Sequence, residues 1–302
     1  MDLRVLRYFL TVVREESIVG AAEVLHLTQP TLSRQLKELE AEFGAKLFTR
    51  GSRTQGITLT EKGLLLRRRA EELIQLADRT QEEMNRSDAV INGDLTIGGG
   101  ESDAMHVVAR AIREVKAQYP GIYFHLFSGN AETVKERLDN GLLDFGVFIE
   151  PVDLKKYDFL RLPDVDVWGL LVRKDSPLAA KDAVTPEDMI GLPLLVSRQN
   201  QLEEFFVKWS GLTIDQLDIT TTYNLIFNAA LLVEEGFGNV LCLDKLVNTT
   251  GTSSLCFIPL KPRVEVHLDF AWKKYQTLTK PAEVFLEKMR ELCQRSGGVT
   301  LP

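Results

Sequence analysis

The chain has 302 residues, 44% hydrophobic and 26% charged, enough for two or three domains with buried cores. No run of 18 apolar residues occurs, and the opening MDLRVLRYFL lacks the apolar stretch of a secretory signal, so the expectation is a cytoplasmic protein with no membrane span. The net charge of −7 speaks against a polyanionic partner for the chain as a whole. Residues 1–69, however, hold 12 Lys/Arg against 8 Asp/Glu, so a field that attracts phosphates is confined to this part.

A first helix is predicted over residues 2–14, with Leu3, Leu6, Phe9, Leu10 and Val13 on one face. Ser17 is placed to cap a second helix, in which Gly20, Ala21 and Ala22 permit close packing. His26-Leu27-Thr28 reads as the turn. Thr28 caps a third helix, and Pro30 falls in its first turn, where a missing N–H is harmless. Leu32, Leu36, Leu39 and Phe43 follow at spacings of four, three and four, so this sector of the third helix faces a core.

The opposite face carries Pro30, Arg34 and Lys37, flanked by Thr31 and Ser33. Most such faces are simply solvated. Here the preceding helix-turn and the following basic hairpin favour a helix laid in a DNA major groove. Gln29 and Arg34 are the types that bond base edges; Thr31, Ser33 and Lys37 suit phosphates. Gly44 ends the helix. Lys46-Leu47-Phe48 and Ile57-Thr58-Leu59 then read as two strands around a tip with Arg50 and Arg53, suited to phosphate or minor-groove contacts.

Thr60 caps a long helix, along which Leu66, Ala70, Leu73, Ala77, Thr80 and Met84 recur with heptad spacing. Such a seam predicts pairing with a second copy; the alternative is packing against its own domain. Arg67, Arg68 and Arg69 fit either a DNA-backbone contact or a solvated face.

These residues together resemble the LysR-type transcriptional regulators. The resemblance is carried by Phe9, Ser17, Ala21-Ala22, Leu25, Gln29-Pro30, Ser33, Leu36, Leu39-Glu40, Gly44, Leu47-Phe48, Arg50, Arg53, Leu59-Thr60 and Gly63. The layout of the chain extends it over the full length. One departure is Thr54-Gln55, which reads as a small insertion in the wing. The resemblance implies a non-enzymatic regulator that needs no cofactor or metal. It also implies a dimer or dimer of dimers on double-stranded DNA with an interrupted palindrome, and contact with RNA polymerase.

Ser87-Asp88 to Asn92-Gly93 reads as a hinge, after which strands and helices alternate. Strands are predicted at Asp94–Gly98, Tyr123–Ser128 and Asp144–Ile149, with helices at Ala104–Gln118 and Ala131–Asn140 between them. A second unit, about 163–267, has strands at Val167–Val172, Leu194–Ser197 and Leu217–Thr221. Its helices are Pro186–Ile190, Leu202–Trp209 and Leu225–Glu235. Val264–Trp272 is then a strand, and Pro281–Cys293 a helix that returns to the first unit. Alternation of this kind implies parallel sheets covered by helices. The expected organisation is an α winged helix-turn-helix over 1–59, a linker and dimerisation helix over 60–88, and a two-lobed α/β effector domain over 89–302 resembling periplasmic binding proteins. Lobe I covers about 94–162 and 268–302, lobe II about 163–267.

Open α/β sheets bind ligands beyond the carboxyl ends of their strands. The candidates there are Gly100, Ser102, Ser128, Asn130 and Phe148 from lobe I, and Ser197, Arg198, Gln199 and Tyr223 from lobe II. For each, an ordinary turn residue is at least as good a reading. Ser102 and Ser128 precede helices, and Arg198 suits a carboxylate, whereas Glu101 and Glu150 weigh against a purely anionic ligand. By resemblance, this crevice holds a small-molecule effector. Two rival functions have less support. TIGGGESD fails the G-x-G-x-x-G dinucleotide pattern at Asp103, which disfavours a nucleotide-dependent enzyme. A solute-binding protein has no use for the N-terminal module. Cys242, Cys256 and Cys293, odd in number and widely spaced, read as reduced thiols in apolar segments.

Overall fold

The computed structural model describes residues 1–50, 57–85, 91–198 and 207–295. Arg53, Thr54-Gln55, most of the expected hinge, Gln199 and the start of the helix predicted from Leu202 lie outside the described residues. The chain divides into two compact units, Met1–Ser87 and Asp88–Pro302.

In the first unit α1 (Leu3–Glu15) starts at Asp2, whose carboxylate accepts the Arg4 N–H at 2.8 Å. Its buried face is Val5, Leu6, Phe9 and Val12; Leu3 is exposed, so the predicted stripe is rotated. α2 (Ile18–Val24) is capped by Ser17, which accepts from the Gly20 N–H at 3.2 Å, and buries Ala21 and Ala22. α3 (Gln29–Phe43) has Thr28 at its N-cap, but the Thr28 hydroxyl meets Thr31 Oγ1 at 2.8 Å and makes no cap bond. Leu32, Leu36 and Leu39 are buried as expected. Phe43 is 43% exposed, because the helix ends there: Gly44 turns the chain at a φ of 60°.

β1 (Phe48–Arg50) and β2 (Ile57–Leu59) pair antiparallel, Phe48 opposite Leu59. α4 (Glu61–Asn85) is capped by Thr60, which accepts the Gly63 N–H at 3.0 Å. Gly63 is required here, since a Cβ would lie 2.1 Å from the Leu47 carbonyl oxygen.

In the second unit β3 (Gly93–Gly99), β4 (Ile122–Ser128) and β5 (Phe145–Ile149) are parallel, with α5 (Met105–Gln118) and α6 (Ala131–Asp139) in the connections. Three further strands carry lobe II. These are β7 (Pro193–Ser197), β8 (Asp218–Tyr223) and β9 (Asn239–Leu243), parallel to one another, with α7 (Ile226–Glu234) leading into β9. Two separate sheets are expected from the sequence, but β6 (Tyr157–Arg173) and β11 (Glu265–Lys273) join them. They run antiparallel and give the order β4-β3-β5-β11-β6-β9-β7-β8, with β10 (Leu255–Pro259) also on β6.

β6 therefore begins ten residues before the predicted Val167. It tolerates Pro163 because the β11 register shifts between His267 and Asp269, opposite that stretch, where the ladder is already interrupted. The 186–190 helix is a 3₁₀ turn, Pro186–Met189. α8 (Lys280–Arg295) returns to lobe I as predicted. Its Phe285 and Met289 join Phe145, Phe270 and Val108 in one core, where the Phe145 and Phe270 rings stack at 4.7 Å.

Candidate functional site

The burial of Leu32, Leu36 and Leu39 leaves the other side of α3 open. Gln29, Pro30, Thr31, Arg34 and Lys37 are exposed on it and Ser33 is half-buried. Gln29 Nε2 donates to Ser33 Oγ at 2.7 Å. Arg34 lies 3.6 Å from Glu38, with side chains 71% and 61% exposed, a pair too solvated to hold the guanidinium back from another partner. At roughly 10–12 Å across, a helix fits the major groove. The Arg50 backbone pairs with Ile57 at the base of the wing.

Glu40, near the end of α3, ties that helix to the wing. It accepts the Leu47 N–H at 2.9 Å and Lys46 Nζ at 2.7 Å. Burial alone would raise its pKa. The hydrogen bonds from Lys46 and from the backbone of Leu47 and Phe48 outweigh that and hold it below the ordinary value.

The heptad seam of α4 is divided. Ala70 is buried and Leu66 half-buried in the core of their own unit, together with Ile74, so these two are corrected to intradomain packing. An ion pair between Arg7 and Asp78 fastens the same side to α1. Ala77 is half-buried. Leu64, Leu65, Leu73, Leu76 and Met84 are the exposed large apolar side chains of the helix, Met84 at 82%.

In the second unit the ends of β3, β7 and β8 meet between the lobes. A cavity of about 40 Å³ is lined there by Gly100, Glu101 and Ile149 of lobe I and by Trp168, Ser197, Tyr223 and Asn224, among others, of lobe II. A larger one of about 410 Å³ shares Gly100 and Glu101 and includes Ser102, Ser128 and Lys245.

Of the predicted effector residues, Gly100, Ser197 and Tyr223 thus line the inner cavity, and Ser102 and Ser128 the outer one. Phe148 is a correction. It is buried with Val134, Leu138 and Tyr157, because side chains alternate along β5 and Ile149 is the one that faces the cleft. Asn130 is occupied as the cap of α6, accepting the Thr133 N–H at 2.9 Å. Arg198 is exposed and lines neither cavity; its N–H donates to the Tyr223 carbonyl at 2.7 Å.

Three polar contacts span from the β3–α5 turn to lobe II. Glu101 Oε2 accepts the Ile226 N–H at 2.5 Å, at the start of α7. Lys245 Nζ donates to Asp103 at 3.1 Å. Ser102 Oγ donates to Asp166 of β6 at 2.6 Å, and accepts the Ala104 N–H. Asp166 is fully buried, and burial raises its pKa. The Tyr223 hydroxyl donates to the Leu241 carbonyl at 2.8 Å, and burial, then Cys242 and Glu101, push its pKa well up. Burial likewise raises Cys242 strongly and Cys293 to about 11, so these thiols stay protonated and lack the low pKa of a redox sensor. Trp168 escaped the sequence reading because it lies within β6, away from any parallel strand end.

Two family models match this chain. That of the bacterial regulatory helix-turn-helix protein, lysR family, covers residues 3–64, and that of the LysR substrate binding domain covers residues 89–294. The HTH-type transcriptional regulator BsdA of Bacillus subtilis (strain 168) is 30% identical over 301 residues, 95% of this chain and 99% of that protein. The uncharacterized HTH-type transcriptional regulator YfeR of Shigella flexneri is 30% identical over 96% of this chain and 94% of its own. Full-length CbnR, solved in complex with its target DNA, has the same fold. It is 20% identical, covers 98% of this chain and 100% of that one, and superposes with a TM-score of 0.70.

Proposed function

The chain belongs to the LysR family of transcriptional regulators, DNA-binding proteins with an effector-binding domain and no enzymatic activity, and we propose how its own residues carry that function. Gln29 and Arg34 read base edges in the major groove. Thr31, Ser33 and Lys37, with Pro30 setting the entry of the helix, lie along the phosphates. Arg50 and Arg53 add wing contacts to the backbone. The observation that carries this reading is α3 itself, with Leu32, Leu36 and Leu39 buried and Arg34 and Lys37 exposed on the other side. CbnR, of the same fold, is solved on its target DNA.

Residues 1–59 read DNA, residues 60–88 pair with a second copy, and residues 89–302 sense the effector. Leu73 and Met84 of the seam remain open for pairing, joined by Leu65 and Leu76. A dimer, or a dimer of dimers, then engages two half-sites of an interrupted palindrome and acts on RNA polymerase in the cytoplasm. Among the described residues no helix is long and apolar enough to cross a membrane. The effector enters the inter-lobe cleft around Gly100, Ser197 and Tyr223. A ligand shifts DNA binding only by favouring one arrangement over another, and β6 with β11 is the element about which the lobes move.

The test is selection of duplexes from a random-sequence pool by the full-length protein. Enrichment of one two-half-site sequence is expected; a bound pool as random as the input would refute sequence reading by this chain.

A further inference from the structure

We propose that the inter-lobe cleft takes a small organic ammonium, seated on Glu101 between the rings of Trp168 and Tyr223, and not a carboxylate. This deepens, and rests on, the reading of that cleft as the effector site.

Among the described residues no Lys or Arg lines the inner cavity, and Glu101 is its charged group. The position in the cleft that would attract an anion is the first turn of α7, where unpaired N–H groups carry partial positive charge. The protein's own carboxylate already fills it: Ile226 N–H donates to Glu101 Oε2 at 2.5 Å. An effector carboxylate would have to evict Glu101 or lie against it.

Lys245 does not redress the balance. It sits 3.1 Å from Asp103 and 3.7 Å from Asp244, with Asp166 buried behind Ser102, so the surroundings of the cleft hold more negative charge than positive. The partial charge of α7 offsets Glu101 only in part.

The rest of the lining suits a cation. Trp168 and Tyr223 contribute aromatic rings, whose faces attract ammonium groups, and Ser197 and Asn224 contribute side-chain oxygens able to accept from one. The cavity of about 40 Å³ exceeds the roughly 10–15 Å³ that seating one water requires, and so has room for an ammonium head. The adjoining cavity of about 410 Å³ begins at the same Glu101 and is lined by Met105, Leu126 and Phe127, which gives an apolar body its place.

Benzylammonium, benzoate and benzyl alcohol, alike in shape and different in charge, are the probes, titrated calorimetrically into the full-length protein at neutral pH. Benzylammonium is expected to bind at least roughly tenfold tighter than benzoate. Glu101→Gln keeps an acceptor for the Ile226 N–H and removes the charge. It should weaken benzylammonium roughly tenfold to a hundredfold and leave benzyl alcohol within about twofold. Benzoate binding as tight as benzylammonium, no benzylammonium binding at millimolar concentration, or an indifferent Glu101→Gln overturns the proposal. Ser197→Trp, which fills the cleft, separates the two readings. Benzoate binding that Ser197→Trp abolishes leaves the cleft as effector site and overturns only the ammonium class. Benzylammonium binding that survives Ser197→Trp overturns the cleft reading and the proposed seat with it.

Discussion

Glu40 shows how one side chain can set the geometry of a DNA-binding module, since its carboxylate holds both Lys46 and the Leu47 N–H. Glu40→Ala leaves that N–H without its acceptor, at a cost of about 1–3 kcal/mol, and should lower the unfolding temperature. The pKa of Glu40 is depressed in the fold. Its contribution is therefore present above the unfolded value and lost as pH falls through the folded one. The stability difference between wild type and Glu40→Gln, followed by thermal unfolding, is thus expected to be widest above the ordinary carboxyl value of 4.5 and to shrink as pH falls below it. Ser102 carries a comparable duty in the second unit. Ser102→Ala removes the donor to a fully buried Asp166 and should destabilise the fold by about 1–3 kcal/mol, with Ser102→Thr restoring it. An Ala variant as stable as wild type would show that the bond contributes nothing, and Ser102 would then act only as a cleft residue.

α4 spans about 37 Å over its 25 residues and has two apolar sides, one packed in the core of its own unit and the other exposed. Ala70→Glu places a charge in the core of the first unit and is expected to unfold it. Leu73→Glu with Leu76→Glu alters the exposed side, and should leave the unfolding temperature nearly unchanged while making the protein monomeric by sedimentation. A double variant that stays dimeric puts the pairing surface elsewhere. The sequence could not separate these sides, because a heptad seam and a packed face share one spacing. The helix-turn-helix was legible because its signals are local: Ser17 and Thr60 as caps, Pro30 in a first turn, Gly44 at a C-terminus, and the four-three-four leucines of α3. β6 was legible only in part, since Pro163 and Asp164 interrupt its alternation and its burial follows from partners far along the chain. β9, NVLCL, is buried at all five positions and has no period to read. In β5 the same lack of alternation hid the parity that turns Ile149, and not Phe148, to the cleft.

Across the whole molecule, charge is divided by task. The surplus of Lys and Arg lies in residues 1–69, and the remainder is acidic, so duplex DNA is attracted to one part of the chain. Binding should weaken with salt by a slope of about 0.9 per phosphate neutralised. Lys37→Ala, a phosphate contact in this account, should lower that slope by about 1 and weaken all sequences alike. Arg34 is assigned the opposite behaviour, and its loose pair with Glu38 leaves the two effects separable. The most direct test of α3 as the reading helix is fluorescence anisotropy of full-length wild type and Arg34→Ala. Both are titrated at fixed salt on the duplex enriched by selection and on a scrambled one. The prediction is a loss of about 1–3 kcal/mol on the selected duplex for each half-site contact, with little change on the scrambled one. An Arg34→Ala protein that binds the selected duplex with unchanged affinity and unchanged preference contradicts it.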